Sequence, residues 1–347
     1  MARTRAVATA SEGSAAEAAT ALLVKGNAVD AVVAGVFAAA ASSPSVLLGP
    51  VQVLFGGAGL GLRAVDGRVR QAGKGAPRPR GFTPDQTIAP AARVGVPALP
   101  AALAAALASS GAMTLAQVMA PAIAGASPAR KEVLRAIAQR GASALSAEAI
   151  AGEIIAVCGR IAGGVLTRDD MEAVMPAIIA VQEVALPGPT RRAAVVPWRE
   201  ATLVPGRAEP APSIPATHVH VVAAADHRGL LAVACYERPD EGVAIEGLGL
   251  VAPFTASPVL RGQTRVRPGV PVPAAAPIAL VRTVTEAALD VALSITGDPE
   301  GESALGELLD AWSREPDALA PTYLGAGALI GLIKGKGGAS LLARRGG

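Results

Sequence analysis

The sequence predicts a mixed α+β fold with a large apolar core, because two kinds of apolar pattern alternate along it. Of its 347 residues, 51% are hydrophobic and 17% are charged, a balance typical of a globular chain with one broad domain or two smaller ones. Residues 15–23 carry apolar side chains at helical spacing. Residues 217–222 instead alternate as in a strand, and the turn-prone residues 226–229 separate them from a second apolar run at 230–235.

The N-terminal pattern predicts two successive helices. Ser11 is a candidate cap for the first helix, with Glu12 in its first turn. We expect this helix to end at Lys25-Gly26, with Gly26 in the left-handed conformation, and a second helix to start at Asn27.

A long uncharged stretch lies between Asp30 and Arg63. Pro44, Pro50 and several glycines break it, so it predicts a buried Ala-rich helix followed by two strands within residues 47–65 and not a membrane span. We therefore expect no membrane partner.

Composition also argues against a nucleic-acid partner. Aromatic residues make up only 2% of the chain, the formal net charge is +3, and the arginines are scattered without a long basic run. The chain therefore offers little that could stack on bases or follow a phosphate backbone.

The two cysteines, Cys158 and Cys235, lie in apolar surroundings without metal-site or redox-pair spacing. They indicate a reducing compartment, and residues 1–5 lack the apolar core of a signal peptide. We expect a cytoplasmic protein with no cofactor and no metal. His218 and His220 would share one face of a strand, but two ligands without a nearby Asp, Glu or Cys seldom suffice for zinc.

Several motifs resemble those of the γ-glutamyltransferases. The string at residues 26–31, Gly-Asn-Ala-Val-Asp-Ala, resembles the N-terminal signature of that family. The blocks at residues 111–115, 120–123 and 163–171 resemble further family blocks in the same order. Residues 215–222 resemble the start of the family's small subunit.

The resemblance implies the four-layer α/β/β/α sandwich of the N-terminal nucleophile hydrolases, with the strands near 50–65 and 216–235 at its centre. It also implies a large-subunit-like half at residues 1–198, a Pro-rich linker at 199–214 and a small-subunit-like half at 215–347, both halves contributing to one sandwich domain. The intervals between blocks are shorter than is usual in the family, which indicates a shortened member.

The family's nucleophile position is occupied by Ala216. In the family this residue is a threonine that self-cleavage frees, so that its hydroxyl attacks and its own α-amine takes the proton. A methyl group cannot attack. Thr217 could substitute only if the chain were cut one residue later, which would turn the side chain to the other sheet face.

The positions that resemble the family's substrate site have also lost their chemistry. Gly73 stands where the family has a carboxylate-binding arginine, and Lys74 is one residue away and cannot form a paired clamp. Ala274 lies in a block from which the hydroxyl groups are gone. Glu300 and Gly301 stand at the paired oxyanion-hole glycines, where a carboxylate would oppose the developing charge.

These losses favour a catalytically degenerate, uncleaved γ-glutamyltransferase-like protein that acts as a binding, scaffolding or regulatory subunit, pairing with itself or with an active paralogue. The alternative is an active γ-glutamyl transferase or amide hydrolase that uses Thr217 after self-cleavage. An engineered substitution at Ala216 would leave the other positions intact and is disfavoured.

Overall fold

The computed structural model describes residues 6–57, 59–77, 79–186, 191–198, 218–283, 289–298, 300–314, 327–335 and 338–345. The helices in these ranges are α1 (Gly13–Leu23), α2 (Ala28–Ser42), α3 (Leu99–Ser110), α4 (Leu115–Gly125), α5 (Pro128–Arg140), α6 (Glu148–Cys158), α7 (Arg168–Glu172) and α8 (Gly301–Arg314). The strands are β1 (Val7–Ala10), β2 (Val51–Gly57), β3 (Leu60–Gly67), β4 (Ala177–Ala180), β5 (Gln182–Ala185), β6 (Arg191–Val195), β7 (Val219–Ala225), β8 (Leu230–Glu237), β9 (Gly242–Ile245), β10 (Leu250–Pro253), β11 (Ile278–Thr283), β12 (Leu289–Thr296), β13 (Ala328–Gly335) and β14 (Gly338–Arg345).

Two antiparallel six-stranded sheets form the centre of the fold. The first sheet has the order β1-β7-β8-β2-β3-β4, and the second has the order β14-β13-β12-β11-β6-β5. Strands β9 and β10 form a separate hairpin. Both large sheets combine strands that precede residue 198 with strands that follow residue 218.

Three apolar cores separate four layers. Side chains such as Leu54, Val221 and Val233 of the first sheet meet Leu280 and Ala292 of the second sheet. The other face of the first sheet packs against the helices α1 to α6, and the other face of the second sheet packs against α8. The layers are therefore helix, sheet, sheet, helix, which confirms the predicted sandwich.

The strands that the sequence placed at the centre lie there. The two hairpins β2–β3 and β7–β8 are neighbours in the first sheet, joined by the antiparallel pairing of β2 with β8. The turn-prone residues 226–229 form the β7–β8 turn, in which the Asp226 carboxylate accepts the Arg228 and Leu230 N–H groups. Ala216 and Thr217 lie outside the described residues.

Ser11 does not cap α1, contrary to the prediction. The residue at the N-cap is Glu12, whose side chain makes no capping bond. Ser11 instead extends the pairing of β1 with β7, because its N–H donates to the Val221 carbonyl and its Oγ accepts the Val221 N–H, both at 3.0 Å. The Ser11 Oγ, which a helix cap would need as an acceptor, is thus used in strand pairing.

Asn27 caps α2 as predicted, through a capping box with Asp30. The prediction for Gly26 is wrong, since its backbone is not left-handed. A glycine is required there because a Cβ would lie 2.4 Å from Asp30 Oδ2. The fully buried Asp30 carboxylate also accepts the Ala112 and Met113 N–H groups at 3.1 Å, so it joins α2 to the α3–α4 connection.

The uncharged stretch after Asp30 is internal. Residues 28–41 of α2 are all buried within the chain. In the part of the chain that the structure describes, no single helix has the length and apolarity to cross a bilayer; one bent pair, Pro128–Ser146 with Glu148–Ala162, meets both criteria only when taken together.

Replacing Asp30 with asparagine should destabilise the protein by about 2 to 4 kcal/mol, because the new amide group places a donor against buried backbone donors. Chemical denaturation of Asp30→Asn and of Asp240→Asn, an exposed position, measures the effect. Equal free energies of unfolding for the two variants would contradict this role of Asp30.

Candidate functional site

The candidate site lies where β7 begins, between the two sheets. Val219, the first residue of β7, pairs with Glu237, the last residue of β8. The Arg238 N–H donates to the His218 carbonyl at 3.0 Å, which holds the chain just before β7. These contacts fix the described residues next to the family's nucleophile position.

Residues 268–276, which we call the crossing segment, run from the chain next to Gln71 to the alanines that contact Gln52. The backbone of Gln71 is hydrogen-bonded to this segment. The Gln71 N–H donates to the Val270 carbonyl, and the Gly269 N–H donates to the Gln71 carbonyl, both at 2.8 Å. The crossing segment therefore runs beside the chain that leads to Gly73, and Pro277 connects its last residue, Ala276, to β11. The structure thus brings Ala274 and the Gly73 region onto neighbouring segments.

Gly73 and Lys74 are held by a buried carboxylate. Their backbone N–H groups donate to the two oxygens of Asp170, each at 2.8 Å. Asp170 lies in the first turn of α7, which Thr167 caps through a capping box. The Lys74 side chain is exposed, and no described contact of Lys74 involves its ammonium group.

Gln52 anchors the crossing segment from β2. This fully buried side chain donates through Nε2 to the Ala275 carbonyl at 2.8 Å and to the Ala274 carbonyl at 3.3 Å. Its Oε1 accepts the Trp198 indole N–H at 2.5 Å. Both ends of the amide are therefore engaged within the chain.

Two carboxylates meet consecutive backbone N–H groups of the crossing segment. Glu302, in the first turn of α8, accepts the Ala276 N–H at 2.6 Å. The Glu237 carboxyl lies close to the Ala275 N–H, which favours its charged form. We call this group, made of Gln52, Trp198, Glu237, Ala274–Ala276 and Glu302, the strand-end site.

Burial raises the pKa of the Glu237 carboxyl to about 7, and the hydrogen bond from Ala275 opposes this shift only in part. The half-buried Glu237 is therefore partly protonated near neutral pH and could exchange a proton with a bound molecule. Burial also raises the pKa of the Cys235 thiol far above its usual value, so this neighbouring sulfur stays protonated and is a poor nucleophile.

The strand-end site is bordered by an ion-pair cluster. Asp66 is paired with Arg68 at 3.0 Å and with Arg70 at 3.1 Å, and the Arg68 guanidinium lies 5.2 Å from the centre of the Trp198 ring. Burial alone would raise the pKa of Asp66, but the two arginines outweigh it and hold the pKa below its usual value. One carboxylate thus pairs with two arginines, and the cluster keeps a net positive charge.

Glu300 and Gly301 lie at the start of α8. The Glu300 side chain is exposed, and its N–H donates to Asp298 Oδ1 at 2.9 Å. The carboxylate that reaches the crossing segment belongs instead to Glu302, two residues further on.

Sequence reasoning missed Glu237 and Glu302. Glu237 had a visible signal, since it is the first charged residue after the apolar run at 230–236. Glu302 follows Gly301 where the resembling family block ends in serine. Neither signal indicates that the two side chains point at the same backbone segment, because that depends on the stacking of the sheets.

A second polar cluster lies on the helix side of β7. Glu12 accepts hydrogen bonds from the Tyr236 hydroxyl at 2.6 Å and from Arg238 at 2.5 Å. His220 Nδ1 shares a hydrogen bond with Ser11 Oγ at 3.2 Å and lies 4.0 Å from Glu12. Since one ring nitrogen faces both Ser11 and Glu12, the group lacks the relay geometry of a catalytic triad.

The described residues contain no group of three or more His, Cys, Asp or Glu side chains arranged to hold a metal ion. His220 makes the contacts just given, and His218 is exposed. Both cysteines are free and buried, and burial raises the pKa of the Cys158 thiol to about 12.

Solved structures of distant sequence share this fold. The crystal structure of a cephalosporin acylase from Bacillus halodurans is 14% identical and aligns with a TM-score of 0.74 over 100% of this chain and 95% of that chain. The structure of LmbA2991HD is 14% identical, with a TM-score of 0.72 over 99% of this chain and 97% of that chain. A γ-glutamyltranspeptidase from Pseudomonas nitroreducens is 20% identical, with a TM-score of 0.47 over 55% of this chain and 70% of that chain.

No protein-family model matches the chain, and no curated protein sequence matches it. The structural neighbours and the four layers together show the fold of the N-terminal nucleophile hydrolases, which is the class that the sequence resemblance implied. An acylase and γ-glutamyltranspeptidases are among the structural neighbours.

The raised pKa of Glu237 predicts a pH-dependent stability. Its folded pKa of about 7 lies above the ordinary value of 4.5, so the folded protein binds more protons than the unfolded chain between these values. Stability should therefore fall as the pH rises from about 4.5 to about 7, by about 1 to 2 kcal/mol after allowance for partial solvent screening of a half-buried group.

Denaturant unfolding of Glu237→Gln between pH 5 and about 8 measures this contribution, and the variant should show a flatter profile than the wild type. Glu241→Gln, at an exposed position, is the matched control. An unchanged profile in Glu237→Gln would show that another group carries the dependence.

Proposed function

We propose that this protein is a catalytically inactive, uncleaved γ-glutamyltransferase-like protein that acts as a binding, scaffolding or regulatory subunit. The observation that carries the proposal is the 2.6 Å hydrogen bond between the Ala276 N–H and the Glu302 carboxylate. It places an anion of the protein itself on a backbone donor of the strand-end site.

Hydrolases that pass through an oxyanion need unoccupied donors aimed at the developing negative charge. At the strand-end site, the Ala276 N–H is already taken by Glu302, and Glu300 places a further carboxylate at one of the two positions that resemble the oxyanion-hole glycines. A second negative charge beside these carboxylates would be repelled, by an amount that grows as water is excluded. This arrangement supports the absence of acyl transfer.

The loop around Gly73 supports the same conclusion. The Gly73 and Lys74 N–H groups are consumed by Asp170, and the Lys74 side chain points to solvent. A substrate carboxylate would therefore find neither the family's arginine nor these backbone donors. Ala216 at the family's nucleophile position also lacks a hydroxyl that could attack a substrate.

A degenerate enzyme that keeps an intact core is suited to act through its surface. The pairing that we propose, with a second copy or with an active paralogue, cannot use α2, since residues 28–41 are buried within the chain. Met175 and the edge-strand residue Ile179 are 79% and 42% exposed and provide an apolar surface instead. Size-exclusion chromatography with light scattering, alone and with a paralogue, tests this part of the proposal.

The alternative is an active amide hydrolase in which Thr217 is the nucleophile. The fold supports it, because a structural neighbour is an acylase and the raised pKa of Glu237 provides a titrating group next to β7. It requires a chain break between Ala216 and Thr217. The two proposals therefore differ in the covalent state of the purified protein.

Intact-mass measurement under denaturing conditions should give one species at the full 34.3 kDa. The same preparation should not hydrolyse a γ-glutamyl anilide, a glutaryl anilide or a cephalosporin above the rate of a Thr217→Ala variant. Two fragments that meet at Ala216-Thr217, together with turnover that Thr217→Ala abolishes, would establish the alternative.

Restoring the family nucleophile alone should not restore activity. Ala216→Thr is expected to remain intact and inert, because Glu302 still occupies the Ala276 N–H and Glu300 still stands at an oxyanion-hole position. The double variant Ala216→Thr, Glu302→Ser tests whether the carboxylate contributes to the block. Self-cleavage of the single variant Ala216→Thr would contradict the proposal that the site has lost more than its nucleophile.

A further inference from the structure

Each large sheet of the sandwich has two edge strands, and β4 differs from the other three. The first sheet ends in β1 and β4, and the second sheet ends in β14 and β5. All four residues of β1 are half-buried, β5 contains the charged Glu183, and the sequence of β14 ends in Arg344 and Arg345. Burial and charge both protect an edge from pairing with another strand. Strand β4 has neither protection.

The outer side of β4 is apolar and open. Ile179 and Ala180 of this strand are exposed, as is Met175 just before it. In the part of the chain that the structure describes, no strand pairs with this side of β4. The sequence from Ala173 to Gln182 carries no charge. An uncharged edge of this kind presents unpaired backbone groups to any strand that can lie beside it.

The start of β4 is acidic. Helix α7, which ends shortly before β4, contains three carboxylates and one arginine: Arg168, Asp169, Asp170 and Glu172. Arg168 is itself paired with Glu148 at 2.6 Å. The net charge next to the start of β4 is therefore negative.

The end of β4 is basic. Arg63 of β3 lies opposite Ala180, the last residue of β4, in the register of the sheet. Glu183 of β5, a few residues further along the chain, pairs with Arg282 at 2.8 Å and with Arg192 at 3.5 Å. Three arginines and one carboxylate thus lie near this end. The uncharged edge therefore has opposite net charges at its two ends.

We propose that β4 is the surface through which this protein pairs with a second copy of itself, by antiparallel pairing of the two β4 strands about a two-fold axis. An antiparallel arrangement places the acidic start of each strand beside the basic end of the other, so both flanks attract. A parallel arrangement would place like charges together. The first sheets of the two copies would then form one continuous sheet.

The apolar side chains of the segment gain partners in this arrangement. Met175 and Ile179, 79% and 42% exposed, become covered by the edge of the other copy. The strand has only four residues, so the backbone hydrogen bonds are few. We therefore expect a reversible dimer with a dissociation constant of about 1 to 100 μM, as is typical of a small interface.

This inference rests on the proposed function and deepens it, because it names the second copy as the partner and β4 as the surface. The absence of cleavage and of turnover does not depend on β4. Intact-mass and activity measurements therefore remain separate from the association experiment. A dimer that forms through another surface would agree with the proposed pairing and would overturn only the role of β4.

Sedimentation equilibrium of the full-length protein, from about 1 to about 200 μM, measures the association. The mass should approach twice the 34.3 kDa of one chain. Raising the salt concentration from about 0.05 to about 0.5 M should weaken the dimer by at least about threefold, because salt screens the charges at the strand ends. A monomer throughout this range, including one that binds only a paralogue, would overturn the proposal. Association that does not respond to salt would contradict the antiparallel charge arrangement.

A charge placed on the edge should break the dimer. Ile179→Lys should weaken association by about tenfold or more, because two lysines would lie against an apolar edge and each other. Leu341→Lys makes the same kind of change at a 57% exposed leucine of β14, the edge strand at the far side of the second sheet. This control should associate as the wild type does, and circular dichroism should show the same fold for both variants. Wild-type association of Ile179→Lys, or its loss in Leu341→Lys, would exclude β4 as the interface.

Cross-linking tests proximity without adding a charge. Ile179→Cys should be joined into a covalent dimer by a short bismaleimide, whereas Leu341→Cys should stay a single chain. The natural cysteines, Cys158 and Cys235, are buried and should not react. If Ile179→Cys fails to cross-link under conditions in which sedimentation shows a dimer, the interface lies elsewhere and the proposal is wrong.

Discussion

The close approach of the two sheets is the constraint on which the rest of the structure depends. The layer between them consists of small and medium aliphatic side chains, together with Cys235, and its members such as Ala223, Ala292 and Leu332 are fully buried. Interiors of this kind reach high packing density only when both faces match in shape. The same stacking brings the ends of β7 and β8 next to the crossing segment, so the geometry of the strand-end site follows from the packing of the core.

Polar groups in this fold are satisfied by a recurrent contact, in which a carboxylate accepts backbone N–H groups from a distant segment. Asp30 holds the α3–α4 connection, Asp170 holds Gly73 and Lys74, and Glu302 holds Ala276. Each contact replaces water at a buried or half-buried donor, whose loss would otherwise be costly. The contact made by Glu302 differs only in its position, because it lies at the strand-end site, between the first turn of α8 and the segment that leads into β11.

Much of the architecture could be predicted from the sequence, because the signals were local. The Asn27 capping box, the Thr167 cap and the β7–β8 turn each depend on residues within a few positions of one another. The roles of Ser11 and Gly26 could not be predicted from the sequence. Ser11 pairs with Val221 and Gly26 lies against Asp30 only because of the tertiary fold. The contacts of Glu302 and Gln52 likewise join residues that are far apart in sequence.

The topology has one consequence for how the molecule holds together. Strands from before residue 198 pair with strands from after residue 218 in both sheets, and β7 lies between β1 and β8. A backbone break between these two parts would leave every described strand pairing in place. The two parts would then behave as an obligate heterodimer whose interface is the core itself, and the gene could be divided there as a split protein whose function depends on reassembly.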